Sequence, residues 1–170
     1  MQINIKFVTA HIFTLFLFLS SLSFAATINV LDKGAKSDDV TDNTAAFQRA
    51  LDEAGKDGSV VDVPAGTYKI YGNLIIPKGV TLQGTYKSAP LAQTANYKEL
   101  NGSVLLVYSG RGKPDDSPFI EMNHSSTVAG FIIVYPDVKT SDVPPVPYPP
   151  CIAGKIGSEN VSVMDCNILN

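Results

Sequence analysis

After Gly58 no stretch of the chain keeps a helical apolar period. Short apolar runs recur instead, each closed by Gly, Pro or Asn: residues 60–63, 67–70, 74–76, 80–83, 103–108, 119–122, 128–135, 152–153 and 161–169. Runs of this kind predict strands joined by tight turns and an all-β domain. A weak internal repeat then separates a solenoid from a sandwich or barrel. Leu82-Gln83-Gly84, Val128-Ala129-Gly130-Phe131-Ile132-Ile133 and Val163-Met164-Asp165-Cys166-Asn167-Ile168 fall on one template, offset by 128 − 82 = 46 and 163 − 128 = 35 residues. A β-helix coil takes roughly 20–25 residues. The first offset therefore predicts two coils and the second one coil with an insertion, about four coils in all.

One segment has a different period. Residues 44–54 place Phe47, Ala50, Leu51 and Ala54 on one helical face, with N-cap oxygens on offer from Thr41, Asp42 and Asn43 and stop signals at Gly55 and Gly58. A single stripe on one short helix predicts a cover over something else. A short strand at 27–30 precedes it. Two stretches break the rhythm of the strands: a polar excursion at 87–102, and residues 136–150, whose six prolines cannot supply ladder hydrogen bonds. The second is expected to be an ordered loop on the solenoid flank, the other reading being a ligand for a proline-recognition module.

The 170 residues bound the chain to one domain, and its apolar content of 45% is inflated by the first 25. Lys6 precedes an apolar run at 7–24 that closes on Ser23-Phe24-Ala25, small residues at −3 and −1. This pattern predicts an export signal cleaved after Ala25, the rival being a retained membrane anchor. Cleavage removes one cation, so the charge of 13 − 16 = −3 becomes 12 − 16 = −4. With a pI near 5.2 the chain is not expected to bind nucleic acid, nor a membrane once the signal is gone. The expected location is outside the cell or in the periplasm. That compartment permits a Cys151–Cys166 disulfide, while buried free thiols fit the same sequence. The predicted division is 1–25 signal, 26–57 strand and covering helix, and 58–170 β-helix.

Several segments together resemble a known module. They are Val30-Leu31-Asp32-Lys33-Gly34-Ala35, Asp38-Asp39, Thr41-Asp42-Asn43-Thr44, Gly58-Ser59-Val60-Val61-Asp62-Val63-Pro64-Ala65-Gly66-Thr67-Tyr68 and Pro77-Lys78-Gly79-Val80-Thr81-Leu82-Gln83-Gly84. This pattern is similar to the N-terminal part of the pectate lyase superfamily domain, the group with rhamnogalacturonase-like and polygalacturonase-like members. The resemblance implies a right-handed single-stranded parallel β-helix with an N-terminal amphipathic capping helix. It implies a polysaccharide partner of the acidic, pectin-like class. Calcium is possible by that resemblance only, and no cofactor is identifiable from the residues themselves. The same module opens lyases, hydrolases, epimerases and tail-spike proteins, so it specifies a fold more sharply than a reaction. Gly66 and Gly79 fall where coils must bend and are expected at positive φ.

Residues with chemical potential are few. Asp115-Asp116 could take a hard cation, but Asp is a common turn residue in a stretch such as Gly110-Arg111-Gly112-Lys113-Pro114. Asp38, Asp39 and Asp42 precede the helix, where capping explains them. His124 lacks a His or Cys at ligand spacing. Arg49 is expected to be a surface charge, and Arg111 is a conceivable base or carboxylate clamp. Asp165 stands where the repeat has Gly84 and Gly130. Tyr135 and Tyr148 flank the proline loop and could stack on sugars or pack beneath it. Asn101, Asn123 and Asn160 each begin an Asn-x-Ser sequence. No catalytic or metal-binding residue is named on these grounds. The last residues read as a coil in mid-course, so the chain is expected to be the first piece of a longer β-helix. The functional expectation is a secreted carbohydrate-active protein; the alternatives are a non-catalytic glycan-binding or attachment β-helix and an inert fragment.

Overall fold

The computed structural model describes residues 27–86, 100–139 and 141–169. The export segment at 1–25 and most of the excursion at 87–102 lie outside the described residues. Among the described residues twelve strands form three sheets. Sheet A holds β1 (Thr27–Asn29), β2 (Val60–Asp62), β5 (Thr81–Gln83), β8 (Thr127–Ala129) and β11 (Ser162–Met164), in that spatial order. Sheet B holds β3 (Gly66–Ile70), β6 (Ser103–Val107), β9 (Phe131–Val134) and β12 (Asn167–Leu169). Sheet C holds β4 (Leu74–Ile76), β7 (Ile120–Met122) and β10 (Ile152–Gly154). Every pair is parallel. The chain visits A, B and C in turn and climbs one rung per circuit, which is a parallel β-helix.

The repeat template is confirmed by register, and its coil arithmetic is corrected. Leu82 pairs with Val128, and Val128 with Val163. Because β5 and β8 are direct neighbours, the 46-residue offset is one coil with two insertions, not two coils. The runs at 128–135 and 161–169 are not single strands. Each is two strands broken by one left-handed residue or its neighbour, Gly130 at φ +77° and Asp165 at φ +49°. So tight a corner contains no cluster of turn residues, and the apolar pattern reads straight through it.

Gly130 is required there for space as well as dihedral. A Cβ on Gly130 would lie 2.5 Å from the Gly84 carbonyl oxygen, and one on Gly84 would lie 2.3 Å from the Gly130 oxygen. Two successive corners thus meet backbone to backbone. Gly66 and Gly79 also take the expected positive φ.

Inward positions stack rung on rung. Val61, Leu82 and Val128 line sheet A; Tyr68, Ile70, Leu105, Val107, Phe131 and Ile133 line sheet B; Leu74, Ile76, Ile120 and Met122 line sheet C, all in one buried cluster. A second buried cluster, Val104, Leu106 and Ile132, lies on the outer side of sheet B, with Tyr86 and Leu100 packed against it. β6 is therefore buried on both faces, which accounts for its continuous apolar sequence.

Helix α1 (Thr44–Ala54) closes the N-terminal end as expected, with Ala46, Phe47, Ala50, Leu51 and Ala54 buried. The Phe47 ring meets Tyr68 edge-on at 5.4 Å. Burying side chains such as Phe47 and Leu51 contributes about 1.5–3 kcal/mol each. The Gln48 amide completes the edge of sheet C: its Oε1 accepts from the Ile75 N–H at 3.0 Å and its Nε2 donates to the Ile75 carbonyl at 3.1 Å. A helix side chain here does what a further strand would do. The opposite end is different. Val163 and Ile168 are 50% and 52% exposed, whereas their register partners Val128 and Ile133 are fully buried.

Candidate functional site

The corner between sheets B and C carries insertions on consecutive coils. The first coil turns there through Tyr71, Gly72 and Asn73; the second spends residues 108–119 and the third 135–151. The two longer segments are tied to each other. The Gly112 N–H donates to the Pro147 carbonyl at 2.8 Å, and the Phe119 N–H to the Pro150 carbonyl at 3.1 Å. Arg111 Nη2 reaches Asp142 Oδ2 at 2.7 Å, and its Nε donates to the Asp137 carbonyl at 3.2 Å. Gly110 lets the proline segment approach, since a Cβ there would lie 2.5 Å from Pro149 Cδ. The result is a wall at the corner where sheets B and C meet; the outward positions of sheet C are Ile75, Glu121 and Ala153, in register. The proline stretch is the ordered flank loop that its composition predicts.

Tyr135 and Tyr148 pack edge-on at 5.1 Å inside this wall. They line a cleft of about 300 Å³ with Val138, Pro149, Cys151 and Ile168. Burial pushes the Tyr135 hydroxyl far above the ordinary phenol range, and a hydrogen bond with Cys151 adds to the effect. Burial also raises Tyr148, opposed by the Arg111 charge; its hydroxyl is buried without a hydrogen bond of good geometry. Cys151 and Cys166 are both free. Burial pushes both thiols up, against a Tyr135 hydrogen bond to Cys151 and backbone N–H groups of Phe131 and Gly130 beside Cys166. Both side chains pack against the main buried cluster.

A second aromatic pair lies at the same corner nearer the helix. Tyr71 and Tyr108 follow the register partners Ile70 and Val107, so their rings stand on adjacent rungs. They stack with centroids 4.9 Å apart and planes 13° apart, matching the rung spacing. Lys69 Nζ sits 5.5 Å from the Tyr108 ring centre and 4.0 Å from Asp39 Oδ1. No local pattern marks this pair, since 37 positions separate its members (108 − 71 = 37); the ladder alone brings them together.

The other candidates are dispersed. Asp38 Oδ1 accepts from the N–H groups of Val40 and Thr41, at 3.0 and 2.8 Å, and Oδ2 from the Thr41 hydroxyl. These bonds, the Thr41 N–H foremost, hold its pKa at about 2. Asp42 is lowered as well: burial opposes this, but the Thr44 hydroxyl and N–H and the Tyr71 N–H outweigh it. Asn43 occupies the N-cap position without capping. Its side chain binds the Lys36 N–H at 2.7 Å and the carbonyls of Lys36 and Thr41, so Asp42 does the work at the helix start. Asp115 and Asp116 are exposed in their turn. His124 Nδ1 accepts the Glu159 N–H at 3.1 Å. Arg49 is exposed and donates to the Lys33 carbonyl, and Asp165 is an exposed corner residue. Asn123 donates to the Ile76 carbonyl, while Asn101 and Asn160 are exposed. Among the described residues no three His, Cys, Asp or Glu side chains gather as a metal site, and no helix is long and apolar enough to cross a membrane.

Stacked parallel rungs, a helical lid and one flank built up by loops define a parallel β-helix. The chain belongs to the rhamnogalacturonase A/epimerase, pectate lyase-like family, whose profile matches residues 27–167. It is 30% identical over 101 residues to a glucan 1,3-beta-glucosidase of Cochliobolus carbonum, covering 59% of this chain and 13% of the relative. It is 30% identical over 118 residues to the non-secreted LysM effector LysM19 of Penicillium expansum, covering 66% of this chain and 9% of that one. The A-module of the Azotobacter vinelandii mannuronan C-5 epimerase AlgE4 superposes on 84% of this chain, with a TM-score of 0.45 and 21% identity, over 37% of its own length. The chain thus spans about a tenth of the length of these curated relatives.

Proposed function

We propose that this chain belongs to an exported polysaccharide-handling protein, and that a glycan lies along the flank of sheet C. There it rests between the face of Ile75, Glu121 and Ala153 and the wall formed by 108–119 and 135–151. The observation that carries this reading is that wall: two insertions leave one corner on consecutive coils and are bonded to each other. Binding sites concentrate on loops held by a rigid scaffold. The family supports an acidic, pectin-like polymer, and the glucosidase relative supports a neutral glucan as well. A lyase needs a base with a bound cation, and a hydrolase needs two carboxylates across the bond. Glu121 is the carboxylate on the sheet C face, and Asp115 and Asp116 remain in their exposed turn. We therefore assign the described coils to binding, with bond-breaking chemistry in other coils of a longer protein.

Affinity electrophoresis against polygalacturonate, rhamnogalacturonan and a β-1,3-glucan tests the reading. Retardation by at least one polymer is expected; free migration through all three would overturn it. New unsaturated uronides or reducing ends made by this chain would overturn the assignment to binding alone. Export is tested separately, because one curated relative is named non-secreted. The N-terminus of protein recovered outside the cell should begin at Ala26, and retention of the intact chain inside the cell would refute export.

A further inference from the structure

We infer that the Tyr71–Tyr108 pair is a stacking platform for an uncharged sugar ring, a subsite distinct from the loop-walled face. The inference rests on the polysaccharide reading above. Among the described residues Tyr71 is the one exposed aromatic, at 51% of its surface. A ring stacked on one face yet half exposed retains its other face. A pyranose presents a patch of C–H groups on one side and hydroxyls around its rim, and an open phenol face buries the C–H side as any apolar surface does. Tyr108 beneath keeps the ring flat and rigid, so little conformational freedom is lost on binding.

The rim selects the charge of the ligand. Asp38, Asp39 and Asp42 lie in the segment that runs over sheet B, where Asp42 bridges Lys69 in parallel register. Among the described residues Lys69 is the cation beside the rings, 5.5 Å from the Tyr108 centre, and it already faces Asp39. An incoming uronate would therefore meet an ammonium that already faces a carboxylate, with further carboxylates in the same segment. A neutral sugar suits the same rim, because ionised carboxylates accept strongly from hydroxyl donors. Asp39 Oδ1 is shielded from solvent and faces the Lys69 ammonium 4.0 Å away, so this carboxylate acts on the rim through its charge.

The probes are laminarihexaose and cellohexaose as neutral hexamers and hexagalacturonate as the acidic one, titrated into the folded chain by calorimetry. At least one neutral hexamer is expected to bind. Tyr71→Ala should weaken it about tenfold or more, and Tyr71→Phe should retain it. Circular dichroism confirms that the variants fold, which a half-exposed position permits. If a hexamer binds the parent chain and Tyr71→Ala equally well, the platform is refuted and the polysaccharide reading stands. If hexagalacturonate loses affinity with Tyr71→Ala while the neutral hexamers do not bind, the choice of an uncharged ring is refuted. If none of the hexamers, and none of the polymers above, binds the parent chain, both readings fall.

Discussion

Replacing Gly130 by alanine isolates what the tight corner between sheets A and B costs. Two terms add. A side chain in the left-handed region costs about 1–2 kcal/mol. The new Cβ would also lie 2.5 Å from the Gly84 oxygen and 2.9 Å from the Gly84 carbonyl carbon. Those atoms are backbone and cannot rotate away. Moving them strains the bonds from the Gly84 N–H to the Ala129 carbonyl, 2.8 Å, and from the Tyr86 N–H to the Gly130 carbonyl, 2.9 Å. Overpacking of this kind costs typically 1–3 kcal/mol. Loss of unfolded-state freedom returns about 0.4–1 kcal/mol. The net expectation is a loss of about 2–4 kcal/mol, or a Tm roughly 5–15 °C lower for a chain of this size. Gly157 is the internal control: its φ is +82° and nothing lies within 4 Å of a Cβ there. Gly157→Ala should show the dihedral term alone, about 1 kcal/mol after the same offset. Urea unfolding of both variants measures the difference. Equal losses would refute the argument that the two corners touch.

Other consequences follow from the lid, the entry loop and the buried thiols. Phe47→Ala leaves a void between α1 and Tyr68 and should cost about 3–5 kcal/mol in urea unfolding; a loss under about 1 kcal/mol would mean that the helix is not a lid. Asp38 has its folded pKa depressed to about 2, so its contribution is present above its ordinary value near 3.8 and is lost as pH falls toward 2. Asp38→Asn should therefore show a shallower loss of stability than the parent between about pH 4 and pH 2, and parallel curves would contradict the assignment. Cys151 and Cys166, both raised by burial, should alkylate far more slowly at pH 8 in the folded chain than in urea. Equal rates in the two conditions would show that folding does not shield them.

Much of this fold is legible in the chain because its signals are local. The stripe of Phe47, Ala50, Leu51 and Ala54 predicts a helix with the observed bounds, and the short apolar runs at 60–63, 67–70, 74–76 and 80–83 fall, to within a residue, on the strands Val60–Asp62, Gly66–Ile70, Leu74–Ile76 and Thr81–Gln83. What escapes is set by neighbours on other rungs. The break at Gly130 is invisible because one left-handed residue leaves the apolar run intact, and this in turn conceals that 46 residues make one coil. The burial of Val104 and Leu106 on the outer face depends on Tyr86 and Leu100, which no period relates to them. The site is less legible still. The pairing of Tyr71 with Tyr108 depends on the register of β3 and β6, and the clasp of Arg111 on Asp142 depends on two insertions rising from the same corner. Asn43 was expected among the caps, yet its amide serves the loop before the helix.

The insertions at 108–119 and 135–151 begin and end on strands whose partners stay aligned, Leu74 with Ile120 and Ile120 with Ile152. Lengthening such a segment costs only about 0.6 kcal/mol for each doubling. This corner is consequently a grafting point: one segment could be exchanged for another of different length and chemistry while the rungs above and below keep their places. Ligand preference and scaffold can therefore diverge independently in proteins built this way.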